Sequence, residues 1–322
     1  MDLVASNWGL NSTYTASADQ PVVLFYGDLA GRGQRDLLEA DFTTEGTRLL
    51  PRCTLAELLP SFPGLRDRFP THRSFSEAGV AEVLGEALSR STQRRATTLG
   101  SMVFLNRGNR FDALLLPVEA QYGPAYGVAV GDLDGDGAED VFLAQNFFGM
   151  PPVQARLDAG RGLWLRGDGR GGFTAVPAKD SGVEIYGEQR GVAFADYDGD
   201  GRVDLVVSQN REKTRLFHNL GARPGLRVEL EGSEGNPKAV GAMIRLDSGA
   251  GWGPAREVTA GSGYLSQNGA VQVLSVTGEH HRIRVRWPGG SITESAILDG
   301  VRRVRLGMDG SARGLPAAAS ER

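Results

Sequence analysis

Two aspartate-rich loops, each running straight into an apolar strand, restrict this chain more than any other feature. The first, GDLDGDGAEDVFLAQN from Gly131 to Asn146, sets Asp132, Asp134, Asp136 and Asp140 at loop positions 1, 3, 5 and 9. The second, ADYDGDGRVDLVVSQN from Ala195 to Asn210, repeats that spacing with Asp196, Asp198, Asp200 and Asp204. Alternate residues of a tight, Gly-rich loop can turn their carboxylates toward one point. That is oxygen-ligand spacing for a hard cation, and Ca²⁺ takes six to eight oxygens at about 2.3–2.6 Å. The plainer alternative is an Asp/Gly-rich turn with no ion. Two copies in register weaken it, because four clustered carboxylates repel one another unless a cation neutralises them.

An EF-hand shares D-x-D-x-D-G but needs a bidentate Glu at position 12 and a helix on each side. Position 12 here is Leu143 in one copy and Val207 in the other. The flanks are strand-like: Val128-Ala129-Val130 before the first loop, Val141-Phe142-Leu143 and Leu205-Val206-Val207 after the two loops. The EF-hand is rejected. Around the first loop, 126–131, 140–146, 162–166 and 172–177 read as strands, four to a repeat. Four-stranded units at a fixed period are the sequence form of a β-propeller. The turn from Gly167 to Gly172 formally contains GxGxxG, but strand-like Phe173-Thr174-Ala175-Val176 follows it, so it reads as a hairpin turn and not a phosphate cradle.

Earlier in the chain the pattern decays. In VVLFYGDLAGRGQRDLLEADF, Asp28 and Asp36 keep positions 1 and 9, while Ala30 and Arg32 replace the carboxylates at 3 and 5. No metal is expected there; the Arg32 guanidinium is expected to hold the loop by pairing with Asp28 or Asp36. Asp2-Leu3-Val4-Ala5-Ser6-Asn7 aligns with Asp204 to Asn210, so the chain begins inside a repeat. The expectation is the C-terminal part of a longer protein, whose signal peptide and earlier blades lie upstream and contact this segment.

Residues 53 to 98 change to helical periodicity. Thr54-x-x-Glu57 and Ser74-x-x-Glu77 read as capping boxes, and Val80, Val83, Leu84, Ala87 and Leu88 share one face. After Gly221-Ala222-Arg223-Pro224-Gly225, a linker, alternation returns at Leu226/Val228/Leu230, Ile283/Val285/Trp287 and Val304/Leu306. The fold expected is therefore all-β. It comprises a partial β-propeller over 1–223 with a helical insertion at about 53–98, a small antiparallel β domain over 224–310, and a disordered tail over 311–322.

At these residues the sequence looks familiar. The two intact loops with their strands resemble FG-GAP/VCBS repeats, the units of integrin-α-like propellers. NPKAVGAMIRL, REVTAGSGYLSQNG and IRVRWPGG resemble the ASPIC/UnbV domain that commonly follows such repeats. Together, residues 1 to 308 look like the C-terminal portion of a cartilage-acidic-protein-like bacterial family, in which a helical insertion also occurs. The resemblance implies a Ca²⁺-stabilised propeller, secreted, periplasmic or at the outer envelope, used in adhesion or other extracellular interactions. It assigns ligand roles to Asp132, Asp134, Asp136, Asp140, Asp196, Asp198, Asp200 and Asp204, with the backbone carbonyls of Ala138 and Arg202 at position 7 completing the shells.

The function expected is a non-catalytic, calcium-binding module that meets a protein or glycan partner. The rival class is an accessory or enzymatic component of a secondary-metabolite or carbohydrate pathway. Little supports chemistry: His72, His218, His280 and His281 are the only histidines, Cys53 is the only cysteine, and no Gly-x-Ser-x-Gly elbow occurs. Glu279-His280-His281 as a metal site is outweighed by a solvated turn. A net charge of −4 gives no case for nucleic acid, and no apolar run is long enough for membrane insertion. The ladder Arg282, Arg284, Arg286, Arg303 and Arg305 raises polyanion binding, against a solvated face balanced by Glu229, Glu231 and Glu279.

Overall fold

The computed structural model describes residues 1–316 apart from 44–45, 152–153, 248, 250, 262, 277–280 and 299; of His281 only the backbone is described. The chain is mostly β. It falls into two compact units, Met1–Asn11 with Gly100–Arg322, and Ser12–Leu99.

The first unit opens with β1 (Leu3–Ala5), after which the chain leaves to build the second unit. There β2 (Val22–Gly27), β3 (Asp36–Phe42), β4 (Leu49–Pro51) and, much later, β5 (Thr92–Ala96) form one sheet in the order β4-β3-β2-β5. Five one-turn helices fill the gap: α1 (Leu55–Leu58), α2 (Leu65–Arg68), α3 (His72–Ser76), α4 (Val80–Leu84) and α5 (Ala87–Arg90). Helices this short do not persist alone. They hold because Leu55, Leu58, Leu65, Phe75, Val80, Val83, Leu84 and Ala87 are buried with Val23, Phe25 and Leu38 of the sheet, and Leu88 packs against that core.

Three expectations change here. The decayed loop belongs to this inserted unit and not to the next blade, so the insertion is larger than 53–98, and it ends in a strand. Thr54 caps α1 through a capping box with Glu57, as its sequence predicts. The second box is displaced: Thr71 caps α3 with Ser74 as its partner, while Glu77 falls at the C-cap, because both Thr71 and Ser74 offer a hydroxyl and the chain uses the earlier one.

The first unit resumes with β6 (Met102–Asn106) and β7 (Phe111–Leu115), which complete the sheet β1-β6-β7. The next sheet, β11-β10-β9-β8, consists of β8 (Ala125–Gly131), β9 (Asp140–Gln145), β10 (Leu163–Gly167) and β11 (Phe173–Val176), within a residue or two of the strands read from sequence. Between β10 and β11, Asp168 Oδ1 accepts from the N–H of Arg170 and Gly172, which makes the glycine-rich turn a hairpin turn. After the short helix α6 (Ala178–Ser181), β12 (Glu188–Ala195), β13 (Asp204–Asn210) and β14 (Glu212–Phe217) form the third sheet.

The central strand β9 is buried on both faces. Val141 and Leu143 pack with Val103, Leu105, Leu163 and Leu165, while Phe142 and Ala144 pack with Val192, Phe194, Leu205 and Val207. Opposite faces of one strand thus meet the sheets before and after it, which is how propeller blades stack. Each fully buried large apolar side chain contributes about 1.5–3 kcal/mol. Gly127 in β8 allows the approach of β12: a Cβ there would lie 2.4 Å from the Arg190 carbonyl oxygen.

The tail holds two four-stranded sheets. One is β18-β15-β21-β22, from β15 (Leu226–Glu231), β18 (Gln272–Leu274), β21 (Arg303–Gly307) and β22 (Ala312–Gly314). The other is β17-β16-β19-β20, from β16 (Met243–Asp247), β17 (Arg256–Glu257), β19 (His281–Arg286) and β20 (Ile292–Ile297). Leu226, Val228, Ile244, Ile283, Val285, Trp287 and Leu306 form their shared core.

The tail is not purely antiparallel, because β15 and β21 pair in parallel. Residues far apart in sequence make that pairing, and no local alternation pattern reports direction. Nor does the tail end at 310: Ala312–Gly314 pair with β21 on the side away from β15 and so become the edge strand of that sheet; residues 317–322 lie outside the described set. Among the described residues no helix is long and apolar enough to cross a membrane.

Candidate metal centres

Both intact loops are the turns of hairpins, β8–β9 and β12–β13. Gly131 pairs Asp140 at the base of one and Ala195 pairs Asp204 at the base of the other. The inserted β2–β3 hairpin has the same base, Gly27 opposite Asp36. Three loops with one geometry can therefore be compared position by position.

At position 1 the carboxylate organises the turn. Asp132 Oδ1 accepts from Gly135 N–H at 2.7 Å and Oδ2 from Gly137 N–H at 2.9 Å. Asp196 does the same with Gly199 at 2.8 Å and Gly201 at 2.9 Å. Gly137 and Gly201 have φ of 95° and 87°, left-handed backbone that favours glycine. At positions 3 and 5 one oxygen of each carboxylate is used in the same way. Asp134 Oδ1 accepts from Asp136 N–H and Asp136 Oδ1 from Ala138 N–H; Asp198 Oδ1 accepts from Asp200 N–H and Asp200 Oδ1 from Arg202 N–H. The second oxygen of three of these four meets an arginine or an imidazole. Arg166 Nε lies 2.8 Å from Asp134 Oδ2, His218 Nε2 lies 2.8 Å from Asp198 Oδ2, and Arg202 Nη1 lies 2.5 Å from Asp200 Oδ2.

Position 9 closes the loop from below. Asp140 has no exposed surface, and its oxygens accept from Leu133 N–H, Trp164 Nε1–H and Gly167 N–H. Burial pushes its pKa up to about 7 in spite of those donors. Asp204 Oδ2 accepts from Tyr197 N–H and Oδ1 from Asn219 N–H. Burial, then the neighbouring Asp136 charge, raises Asp134; burial raises Asp196, against the pull of Arg227. A cation at either loop would reverse these shifts, since it favours the charged carboxylate.

Carboxylate oxygens of Asp132, Asp134 and Asp136 lie within 4.8 Å of one another, as do those of Asp196, Asp198 and Asp204, and a third group joins Asp198 and Asp200 to His218. Asp140 is not gathered with the first group, being held by its three donors. Ala138 and Arg202 appear as N–H donors at the expected position, and the Arg202 side chain also binds the Ala222 carbonyl at 2.8 Å. The donor set, hard oxygens with one imidazole at the rim, fits Ca²⁺. The decayed loop supports that fit. There Arg32, at position 5, places Nη2 2.9 Å from Asp36 Oδ1, a side-chain cation inside a loop that lacks two carboxylates.

Several contributors are invisible in the loop motif. Asn219 Nδ2 donates to the Leu133 carbonyl of the first loop at 2.8 Å and the Val203 carbonyl of the second at 2.9 Å, tying the two hairpins together. From the tail, the Ser275 hydroxyl donates to Asp132 Oδ2, Arg256 pairs with Glu139 at 2.8 Å, and Arg227 Nε lies 2.8 Å from Asp196 Oδ2. The loop around Tyr264 packs on the propeller strands. Its ring meets Tyr126 edge-on at 5.6 Å, and a Cβ on Gly263 would lie 2.9 Å from the Val128 carbonyl oxygen.

Other candidates dissolve. Arg303 and Arg305 pair with Glu229, Arg284 with Glu294, and Arg282 with Asp247, so four of the five ladder arginines have acidic partners. Glu279 and His280 lie outside the described residues, as does the His281 side chain. Burial pushes the Cys53 thiol up to about 11, which keeps it protonated and poorly nucleophilic.

Fold and loops together define a β-propeller-like module joined to a compact β tail. Comparison with known families agrees: an FG-GAP-like repeat matches residues 153–207, which include the second loop, and the ASPIC and UnbV family matches residues 232–312. No curated protein matches the chain.

Proposed function

We propose that the two loops bind Ca²⁺ and that the bound ions stiffen a non-catalytic interaction module acting outside the cytoplasm on a protein or glycan partner. One observation carries the reading. In both loops the turn's own N–H groups engage the carboxylates of positions 1, 3 and 5, and carboxylate oxygens still lie grouped within 4.8 Å of one another, met by Arg166 in one loop and by Arg202 and the His218 imidazole in the other. The ions are structural: they replace partial neutralisation by flexible side chains with a fixed divalent charge. Sites of this kind in extracellular modules bind in the range of about 10⁻⁴–10⁻³ M. FG-GAP repeats are typical of extracellular or envelope proteins, where Ca²⁺ reaches those levels. Tyr197, 72 % exposed at position 2 of the second loop, gives a partner an aromatic contact beside a rigid turn.

Calorimetric titration of the EDTA-stripped chain with Ca²⁺ is expected to show two sites, one lost in Asp134→Ala and the other in Asp198→Ala. A featureless titration of the folded chain would refute the reading. The decayed loop offers the converse test. Restoring both missing carboxylates, with Ala30→Asp and Arg32→Asp together, is expected to create a third site; unchanged stoichiometry would show that the spacing alone does not make a Ca²⁺ loop.

A further inference from the structure

We propose that Arg227 is a tethered cation that holds the ion's place at the second loop, so that the tail and Ca²⁺ compete for Asp196. The inference rests on the reading of the loops as Ca²⁺ sites. Arg227 is the second residue of β15, and it reaches out of the tail to the position-1 carboxylate of the loop. Its Nε lies 2.8 Å from Asp196 Oδ2, with the two side chains 11 % and 0 % exposed. The Nε–H is buried yet makes no directed hydrogen bond. A guanidinium retained for its geometry makes aligned, forked bonds to a carboxylate. This one supplies charge at short range without that alignment, and Asp196 already receives the N–H groups of Gly199 and Gly201. The decayed loop uses the same device from within, through Arg32 on Asp36.

The first loop is built differently at the same position. Asp132 receives the Ser275 hydroxyl, a neutral group whose oxygen can accept a cation instead of opposing it. Its four carboxylates face one guanidinium, Arg166, which is 51 % exposed on the outer Asp134, where solvent screens it. The second loop's four carboxylates face Arg202, Arg227 and the His218 imidazole. Two positive charges at one buried carboxylate repel far more strongly than at the surface. Ca²⁺ therefore fills the first loop before the second, and filling the second moves Arg227 off Asp196. The linker feels this directly, because Gly225 N–H donates to the Gly201 carbonyl of the same loop at 2.8 Å. The two loops, equal in their carboxylate spacing, thus become a tighter structural site and a weaker one coupled to the seating of the tail.

The test is Ca²⁺ calorimetry on the full chain, with Asp198→Ala reporting the first loop alone and Asp134→Ala the second. The first loop is expected to bind at least about tenfold more tightly. In the Asp134→Ala background, adding Arg227→Gln is expected to tighten the second loop by at least about tenfold, while Arg227→Lys, which keeps a cation, leaves it within about twofold. An unchanged or weaker second loop in Arg227→Gln would overturn the proposal. Equal affinities of the two loops with Arg227 in place would overturn it as well, whether or not Arg227→Gln folds. If two sites bind and only the Arg227 arms fail, the Ca²⁺ reading survives; if no variant and not the parent chain binds Ca²⁺, both fall.

Discussion

Removing divalent cations with EDTA is expected to lower the main thermal transition by about 10–20 °C relative to saturating Ca²⁺, and to leave a smaller transition in place. A ligand that binds only the folded state, at a hundred times its Kd, stabilises by about 2.7 kcal/mol, so two sites supply about 5 kcal/mol. For a unit of this size each kcal/mol moves Tm by roughly 2–4 °C. Both loops lie in the first unit, which should therefore move. The inserted unit Ser12–Leu99 holds its loop with Arg32 and should be indifferent. Differential scanning calorimetry with and without Ca²⁺ reads both. Two transitions that ignore Ca²⁺ would remove the ions from the stability of the fold.

The second large effect is expected at Asp140. Replacing it with Ala leaves two buried donors, the N–H groups of Leu133 and Gly167, and the part-buried Trp164 indole without their acceptor. Each unsatisfied buried group costs about 1–3 kcal/mol, so a loss of about 3–5 kcal/mol is expected even without Ca²⁺. Asp136→Ala, at an exposed position of the same loop, should cost under about 1 kcal/mol in EDTA while still weakening Ca²⁺ binding. Urea denaturation of the two variants in EDTA separates the roles. Equal losses would mean that Asp140 is an ordinary ligand and not the base of the hairpin.

That contrast shows how much a sequence of this kind reveals. The D-x-D-x-D-G spacing and the apolar run after it located both hairpins, and β8 to β11 follow because each strand's pattern is a local property. Asp132 and Asp140 look alike in the motif, yet one is grouped with the carboxylates of Asp134 and Asp136 and the other takes two of its three donors from β10, a strand the motif does not contain. Ser275, Arg227 and Asn219 were unreadable for the same reason: their importance lies in what the fold brings near them. His218 sits in no motif that marks it out from the other three histidines. Pairing of β1 with β6 and the parallel pairing of β15 with β21 are long-range choices, to which alternation is blind. The tail strands and their arginine partners fared better, since alternation placed Arg303 and Arg305 on the face where Glu229 waits.

The pairing of β1 with β6 has a consequence for how this chain can change. Seen from that sheet, everything from Ser12 to Leu99 is one connection, anchored where Asn7 N–H donates to Ser101 Oγ at 3.1 Å. The entropy of closing a connection grows only with the logarithm of its length, so even as a slack chain this one would cost about 2 kcal/mol more than a link of about six residues. A folded insert, being no slack chain, removes much of that difference. The sheet is thus nearly blind to what its longest connection contains, and the inserted unit is free to vary in size and surface while the loops, the bridge at Asn219 and the seating of the tail stay as they are.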